Sequence, residues 1–234
     1  MIVLSVGMPR AGSIWHYNLI NDLMLVMGSA DARDIRAKYR LQNILTEMNS
    51  NIGVLHARRL GMVAIPALMG NTFVIKAHAA PTPTSRLFQR LGLLRITYIY
   101  RDPRDAMLSA YEIGASDLQR GRPNAFSHLT DFQKSLDFMM GYVRIWERWV
   151  KEKDVLMARY EDMLREYDGE IMRLLGFLKL DGNRPDVQKV IEAHRPTPER
   201  QARISRFREI YSAEQQQLLV EKMGATIARM GYDV

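Results

Sequence analysis

Val6-Gly-Met-Pro-Arg-Ala-Gly-Ser-Ile-Trp15 is the stretch that decides how the chain is read. The apolar, β-branched run Ile2–Val6 that leads into it has the make-up of a buried strand. The stretch Gly12–Met27 that follows carries a helical apolar stripe through Trp15, Leu19, Leu23 and Val26. Between the two, Gly7 and Gly12 let the backbone turn tightly, so that its N–H groups converge on an anion at the positive end of the helix. The spacing is that of the G-x-x-x-x-G part of a nucleotide-triphosphate loop, but Ser13 stands where the loop lysine belongs. No strand-end Asp suits Mg²⁺ either, since Asp102 follows Arg101, whose guanidinium competes with a cation. A triphosphate with Mg²⁺ needs both parts, so the loop suits a less charged phosphate carried without a metal.

Working outward, Thr72–Lys76 and Ile96–Tyr100 read as further buried strands and Val155–Arg159 as a weaker fourth. Asp131–Lys151 carries Phe132, Leu136, Met139, Val143, Trp146 and Val150 along one helical side. Ser212, followed by Glu214 and Gln215, caps a last helix running to about Met230. Such alternation predicts a three-layer α/β/α fold with a central, mainly parallel sheet, as one domain over residues 1–234. Gly114–Ser127 and Arg195–Arg208, polar and rich in Arg and Pro, read as mobile loops over a site, and residues 28–70 carry no readable pattern.

The 234 residues are 47% hydrophobic and 25% charged, the balance of a soluble globular domain. A net charge of +7 favours anionic partners. There is no cysteine, which excludes disulfide frameworks, thiolate zinc sites and Cys nucleophiles. The apolar N-terminus stops at Pro9-Arg10, too short for a signal-peptide core or a membrane span, so the expectation is a cytoplasmic protein without a transmembrane segment.

A second strand-to-helix junction, Ile99-Tyr-Arg-Asp-Pro-Arg-Asp-Ala-Met-Leu-Ser-Ala-Tyr111, ends a strand at Arg101 and opens a helix near Pro103. Ser109 falls two turns into that helix, so Arg101 and Ser109 are placed to grip one phosphate from two sides. Arg104 reads as solvated, and Glu161 and Asp162 as caps of the helix after the fourth strand. At the end of the Thr72 strand, Lys76 and His78 stand two residues apart and project to the same side. A neutral imidazole there is a proton acceptor near neutral pH. No pair of the five His has ligand spacing with a carboxylate, so no metal site is expected.

Pro9-Arg-Ala-Gly-Ser-Ile-Trp15 resembles the 5′-phosphosulfate loop of sulfotransferases that use 3′-phosphoadenosine-5′-phosphosulfate (PAPS), and the Arg101…Ser109 segment is similar to that family's 3′-phosphate motif. The resemblance implies the P-loop nucleotide-hydrolase-like sulfotransferase fold and PAPS as cofactor, with adenosine 3′,5′-bisphosphate (PAP) as product. Arg10 would contact the phosphosulfate, Gly12 and Ser13 would bind it through backbone and hydroxyl, and Trp15 would pack on adenine. Ala11 and Ile14 depart from the family's hydroxyl residues and retain only their backbone donors. Tyr160, in Ala158-Arg-Tyr-Glu-Asp-Met-Leu164, would lie near adenine. Lys76-Ala-His78 is similar to the family's Lys-Thr-His: His78 would be the general base for the acceptor, and Lys76 and Arg10 would stabilise charge on the leaving nucleotide. The segment Arg206–Gln215 resembles the family's C-terminal region without its glycines, and there either Arg200 or Arg203 would reach the 3′-phosphate.

The implied activity is sulfuryl transfer to a hydroxyl or amine of a small-molecule, lipid or glycan acceptor. A P-loop-type nucleotide or small-molecule kinase is the enzymatic alternative, opposed by the missing lysine and Mg²⁺ Asp. A non-catalytic nucleotide- or RNA-binding module is the other; the charge permits it, but no aromatic-and-basic recognition motif is present, so nucleic acid is not expected as a partner. Acceptor identity and oligomeric state have no sequence signature here.

Overall fold

A strand that is apolar on both faces needs a helical layer on each side, and this requirement organises the chain. The computed structural model describes residues 1–201 and 204–234, with Arg200 and Gln201 described by backbone alone. Four strands, β1 (Ile2–Gly7), β2 (Phe73–Ala77), β3 (Leu94–Tyr100) and β4 (Val155–Arg159), form one sheet in the order β2-β1-β3-β4. Every pairing is parallel, with Val6 opposite Ala77 and Gly7 opposite Ile99.

Side chains alternate between two cores. Ile2, Leu4 and Val6 join Phe73, Ile75, Ile96 and Tyr98 in one, whereas Val3, Val74, Ile99 and Ala158 join the other. The first core is covered chiefly by α3 (Ala57–Leu68), α5 (Pro103–Gln119), α6 (Phe132–Trp149) and α12 (Ala213–Arg229), with α2 (Ala32–Lys38) and α4 (Pro83–Arg90) at its margin. The second lies under α1 (Ser13–Val26), α7 (Tyr160–Arg165), α8 (Tyr167–Leu178) and α9 (Pro185–Ala193). Two single turns, α10 (Pro198–Gln201) and α11 (Phe207–Ile210), precede α12.

The connection after β1 leads to β2 on one side, and that after β3 leads to β4 on the other. Between the carboxyl ends of β1 and β3 the chain therefore parts, leaving the crevice where open α/β sheets take ligands. Both strand-to-helix junctions singled out in the sequence open at this crevice.

The four strands and the three main helices expected from patterning are present. Asp131 caps α6 by accepting from the Lys134 N–H, and Ser212 and Gln215 form a reciprocal capping box on α12. Three details differ. Residues 28–70 hold α2 and α3, the latter hidden from pattern reading by Pro66 inside it. Val150 lies past the end of α6 and is 45% exposed; Trp149 is buried instead and gives its indole N–H to the Ala79 carbonyl at 2.9 Å. Gly114–Ser127 is not a loop throughout, because α5 continues to Gln119 and the chain then folds back onto it.

That return passes so close that a Cβ on Gly114 would stand 2.3 Å from the Phe126 carbonyl oxygen. In an open helix Gly→Ala is stabilising by about 1 kcal/mol. Here the sign reverses: Gly114→Ala is expected to cost roughly 1–3 kcal/mol through overpacking. Thermal denaturation checks this, together with limited proteolysis, which is expected to speed up between residues 120 and 131.

Candidate functional site

The loop after β1 is shaped by close approaches. A Cβ on Gly7 would meet the Ile99 side chain and Ser13 Cβ at 2.8 Å, so α1 leaves the sheet hard against β3. Gly12, the N-cap of α1, has φ 73°, and a Cβ there would fall 2.7 Å from the Tyr160 ring. Arg10 also takes a left-handed conformation, φ 63°, which turns the loop over between the glycines. Gly12 gives α1 no side-chain cap, so the positive end of the helix faces the loop with backbone donors alone at its N-cap. Arg10 Nε donates to Ser109 Oγ at 3.2 Å, joining the first junction to the second. Trp15, 7% exposed, packs edge-on to Tyr160 and parallel to Tyr167, and its N–H reaches the His194 carbonyl at 3.0 Å.

At the end of β3, the buried Arg101 guanidinium lies between two buried carboxylates. Asp105 is 3.4 Å away and Glu161 4.0 Å, while the Tyr160 ring faces it at 5.0 Å. Burial pushes both carboxyls up; Arg101 and backbone N–H donors pull each back toward the charged form. Asp105 accepts the N–H groups of Ser205 at 2.6 Å and Phe207 at 3.0 Å, and Glu112 holds Arg206 by two bonds of 2.6 and 3.0 Å. The segment read as a mobile loop is thus latched to α5 over residues 205–207.

Two expectations fail at this junction. Arg104 is not solvated: at 5% exposure it pairs with Asp102, donates to the Asp233 carbonyl at 2.6 Å and stacks on Phe207 at 4.1 Å. Glu161 does not cap α7, whose N-cap is Arg159. Its carboxylate turns inward to accept the Asp102 N–H and the Tyr232 hydroxyl.

Lys76 and His78 meet at the mouth of the loop. His78 Nδ1 is 2.5 Å from the Gly7 carbonyl, which only accepts, so Nδ1 carries the proton and donates. Nε2 is then the lone-pair nitrogen, and Lys76 Nζ donates to it at 2.6 Å. Burial, reinforced by the Lys76 charge, lowers the His78 pKa to about 4 despite the Gly7 carbonyl; burial lowers that of Lys76 to about 8. The imidazole is therefore neutral at pH 7 while Lys76 is still mostly charged.

An aromatic wall runs from this pair to the loop. Tyr142 stands edge-on to His78, Phe138 lies 5.0 Å from Tyr142, Phe126 5.8 Å from Phe138, and Arg10 lies 5.8 Å over Phe126. His128 flanks Phe138 at 5.9 Å. Phe138 and Tyr142 share the i, i+4 spacing of one α6 face, a signal hidden beside the stronger core stripe.

Contacts thus connect Arg10 with Ser109, Lys76 with His78 and the loop, and Gly12, Trp15 and Arg101 with Tyr160. Ala11 and Ser13 are buried, and Ile14 is exposed on the first turn of α1. Arg203 and the side chain of Arg200 lie outside the described residues. Among the described residues no His, Cys, Asp or Glu side chains cluster as a metal site, and no helix is long and apolar enough to cross a membrane.

A family model described as a sulfotransferase domain matches residues 2–218. A rabbit (Oryctolagus cuniculus) amine sulfotransferase is 22% identical over 136 residues, which span 56% of this chain and 42% of that protein. Two solved structures share the fold. A mouse sulfotransferase complexed with PAP has a TM-score of 0.58 at 14% identity, over 99% of this chain and 88% of the other. Retinol dehydratase, in complex with androsterone and inactive cofactor PAP, also scores 0.58, at 15% identity over 97% and 80%.

The cationic share of the His78 shift is separable by experiment. In Lys76→Met, an NMR titration of the His78 ring is expected to give a pKa above the wild-type value of about 4. It is expected to stay below 6.5, because burial remains.

Proposed function

Because this chain belongs to the sulfotransferase-domain family, we propose that it moves a sulfuryl group from PAPS to a hydroxyl or amine of a small-molecule acceptor. The observation that carries the reading is the 2.5 Å bond from His78 to the Gly7 carbonyl, which fastens a proton acceptor to the anion-binding loop. The donor set suits an adenosine bisphosphate: glycine-lined backbone, Arg10 and Ser13 on one side of the crevice, Arg101 with Ser109 on the other. Tyr160 and Trp15 supply the neighbouring aromatic surface for the base. When bound, PAPS supplies the activated sulfuryl group.

The chain's residues divide the remaining work. Nδ1 of His78 stays protonated against the Gly7 carbonyl, which orients the ring and leaves Nε2 to receive the acceptor's proton. For that, Lys76 Nζ must turn from Nε2. The same movement frees its ammonium to face the oxygen on which negative charge grows. The loop N–H groups and Arg10 are in place before reaction and only Lys76 swings, so catalysis rests on positioning and electrostatics. The wall of Tyr142, Phe138 and Phe126 offers an acceptor an apolar, aromatic surface beside His78. We assign the reaction to one domain over residues 1–234, in the cytoplasm.

Calorimetric titration with adenosine 3′,5′-bisphosphate tests the cofactor half. Binding is expected without Mg²⁺ and to weaken about ten- to a hundredfold in Arg101→Ala, the range for hydrogen bonds to a charged group. Binding of ATP with Mg²⁺ in its place would favour the kinase. His78→Ala is expected to keep bisphosphate affinity while losing roughly 10²–10⁴-fold in transfer rate.

A further inference from the structure

The arginine at the end of β3 is held by residues far along the chain. Glu161, 2% exposed, uses both carboxylate oxygens. Oε1 accepts the Asp102 N–H at 3.4 Å and lies 4.0 Å from Arg101 Nε; Oε2 accepts the Tyr232 hydroxyl at 2.5 Å. Arg159 covers the Tyr232 ring at 4.1 Å and brings its Nε within 3.7 Å of Oε2. Tyr100 meets the same ring edge-on at 6.5 Å.

A built turn delivers Tyr232 to this place. Gly231 has φ 84°, its N–H bonds to the Ala228 carbonyl, and the Tyr232 N–H bonds to the Ile227 carbonyl. This is the Schellman pattern, which closes α12 and sends the next side chain in a fixed direction. The Asp233 carbonyl then accepts from Arg104, fastening the segment on its far side.

We propose that Tyr232 is a positioning residue for the 3′-phosphate subsite, its hydroxyl holding Glu161 so that Glu161 sets the orientation of Arg101. The inference rests on the reading above in which Arg101 binds the 3′-phosphate. A buried carboxylate tethered through one oxygen presents the other in a constant direction, and the guanidinium beside it is aligned before ligand arrives. Without the phenol the carboxylate turns about its own bonds, and Arg101 keeps a fixed counter-charge on the Asp105 side but not on the Glu161 side. The affinity lost is then that due to the 3′-phosphate alone.

The test compares adenosine 3′,5′-bisphosphate with adenosine 5′-monophosphate, which differ only in that phosphate, by calorimetry on the whole chain. Wild type is expected to prefer the bisphosphate, and Arg101→Ala to lose most of that preference. Tyr232→Phe keeps the ring under Arg159. It is expected to weaken the bisphosphate roughly tenfold, the scale of one hydrogen bond to a charged group, with the monophosphate unchanged within about twofold. Equal weakening of both ligands, or an unchanged preference, overturns the proposal and leaves the cofactor reading standing. A wild type without preference for the bisphosphate sinks both. If Tyr232→Phe does not fold, Glu161→Gln serves: selective loss of the preference supports the proposal, and its retention refutes it.

Discussion

The Arg101 guanidinium is held out of water between Asp105 and Glu161, and the architecture of this edge of the sheet follows from that requirement. A buried cation needs counter-charge and hydrogen-bond partners, and each carboxylate that answers has its own needs. Asp105 satisfies its second demand with the N–H groups of Ser205 and Phe207, and Glu161 with the Tyr232 hydroxyl. One guanidinium thereby draws β3, α5, the start of α7 and the residues after α12 into a single network. Tyr160, which faces Arg101, also forms the wall that forbids a side chain at Gly12. The loop after β1 and the arginine are positioned by the same ring.

The second constraint is dryness around Lys76 and His78. Lys76 is almost fully buried in β2, and its amide edge is occupied by the strand-like bridge from Asn51 and by the Ser50 carbonyl. In such a setting two basic groups share one proton-rich contact without both being charged.

What was legible in the sequence was whatever depends on near neighbours. Strands buried on both faces, the Ser212 capping box and the glycines of the loop all express themselves within a few residues. The place of Ser109, two helical turns after Arg101, is likewise legible because that spacing is local; its bond from Arg10, 99 residues away, is not. By contrast, Asp105 looks like a first-turn acid serving a helix dipole, and its actual partners come 100 and 102 residues later. Arg104 looks like a surface charge because the ring beneath it, Phe207, belongs to another segment. Glu161 is similar: a local acid at a helix start, claimed instead by a phenol 71 residues away. Buried charges are placed by tertiary partners, and a one-dimensional pattern carries no record of them. The aromatic wall escaped for a different reason, since Phe138 and Tyr142 lie beside a stronger apolar stripe on the same helix.

Gly12's missing side chain has a further meaning for biosynthesis. The loop at residues 7–13 is made before the ring it packs against, Tyr160, and before the pins on its companion arginine, which come from residues 205–232. At 5–20 residues per second, roughly ten to forty-five seconds of translation separate the loop from Tyr232. For much of that interval the nascent chain holds the loop glycines without the full set of residues that close around them. The crevice gains its pins on Asp105 and Glu161 only when residues 205–232 have joined it, so its final shape is acquired late.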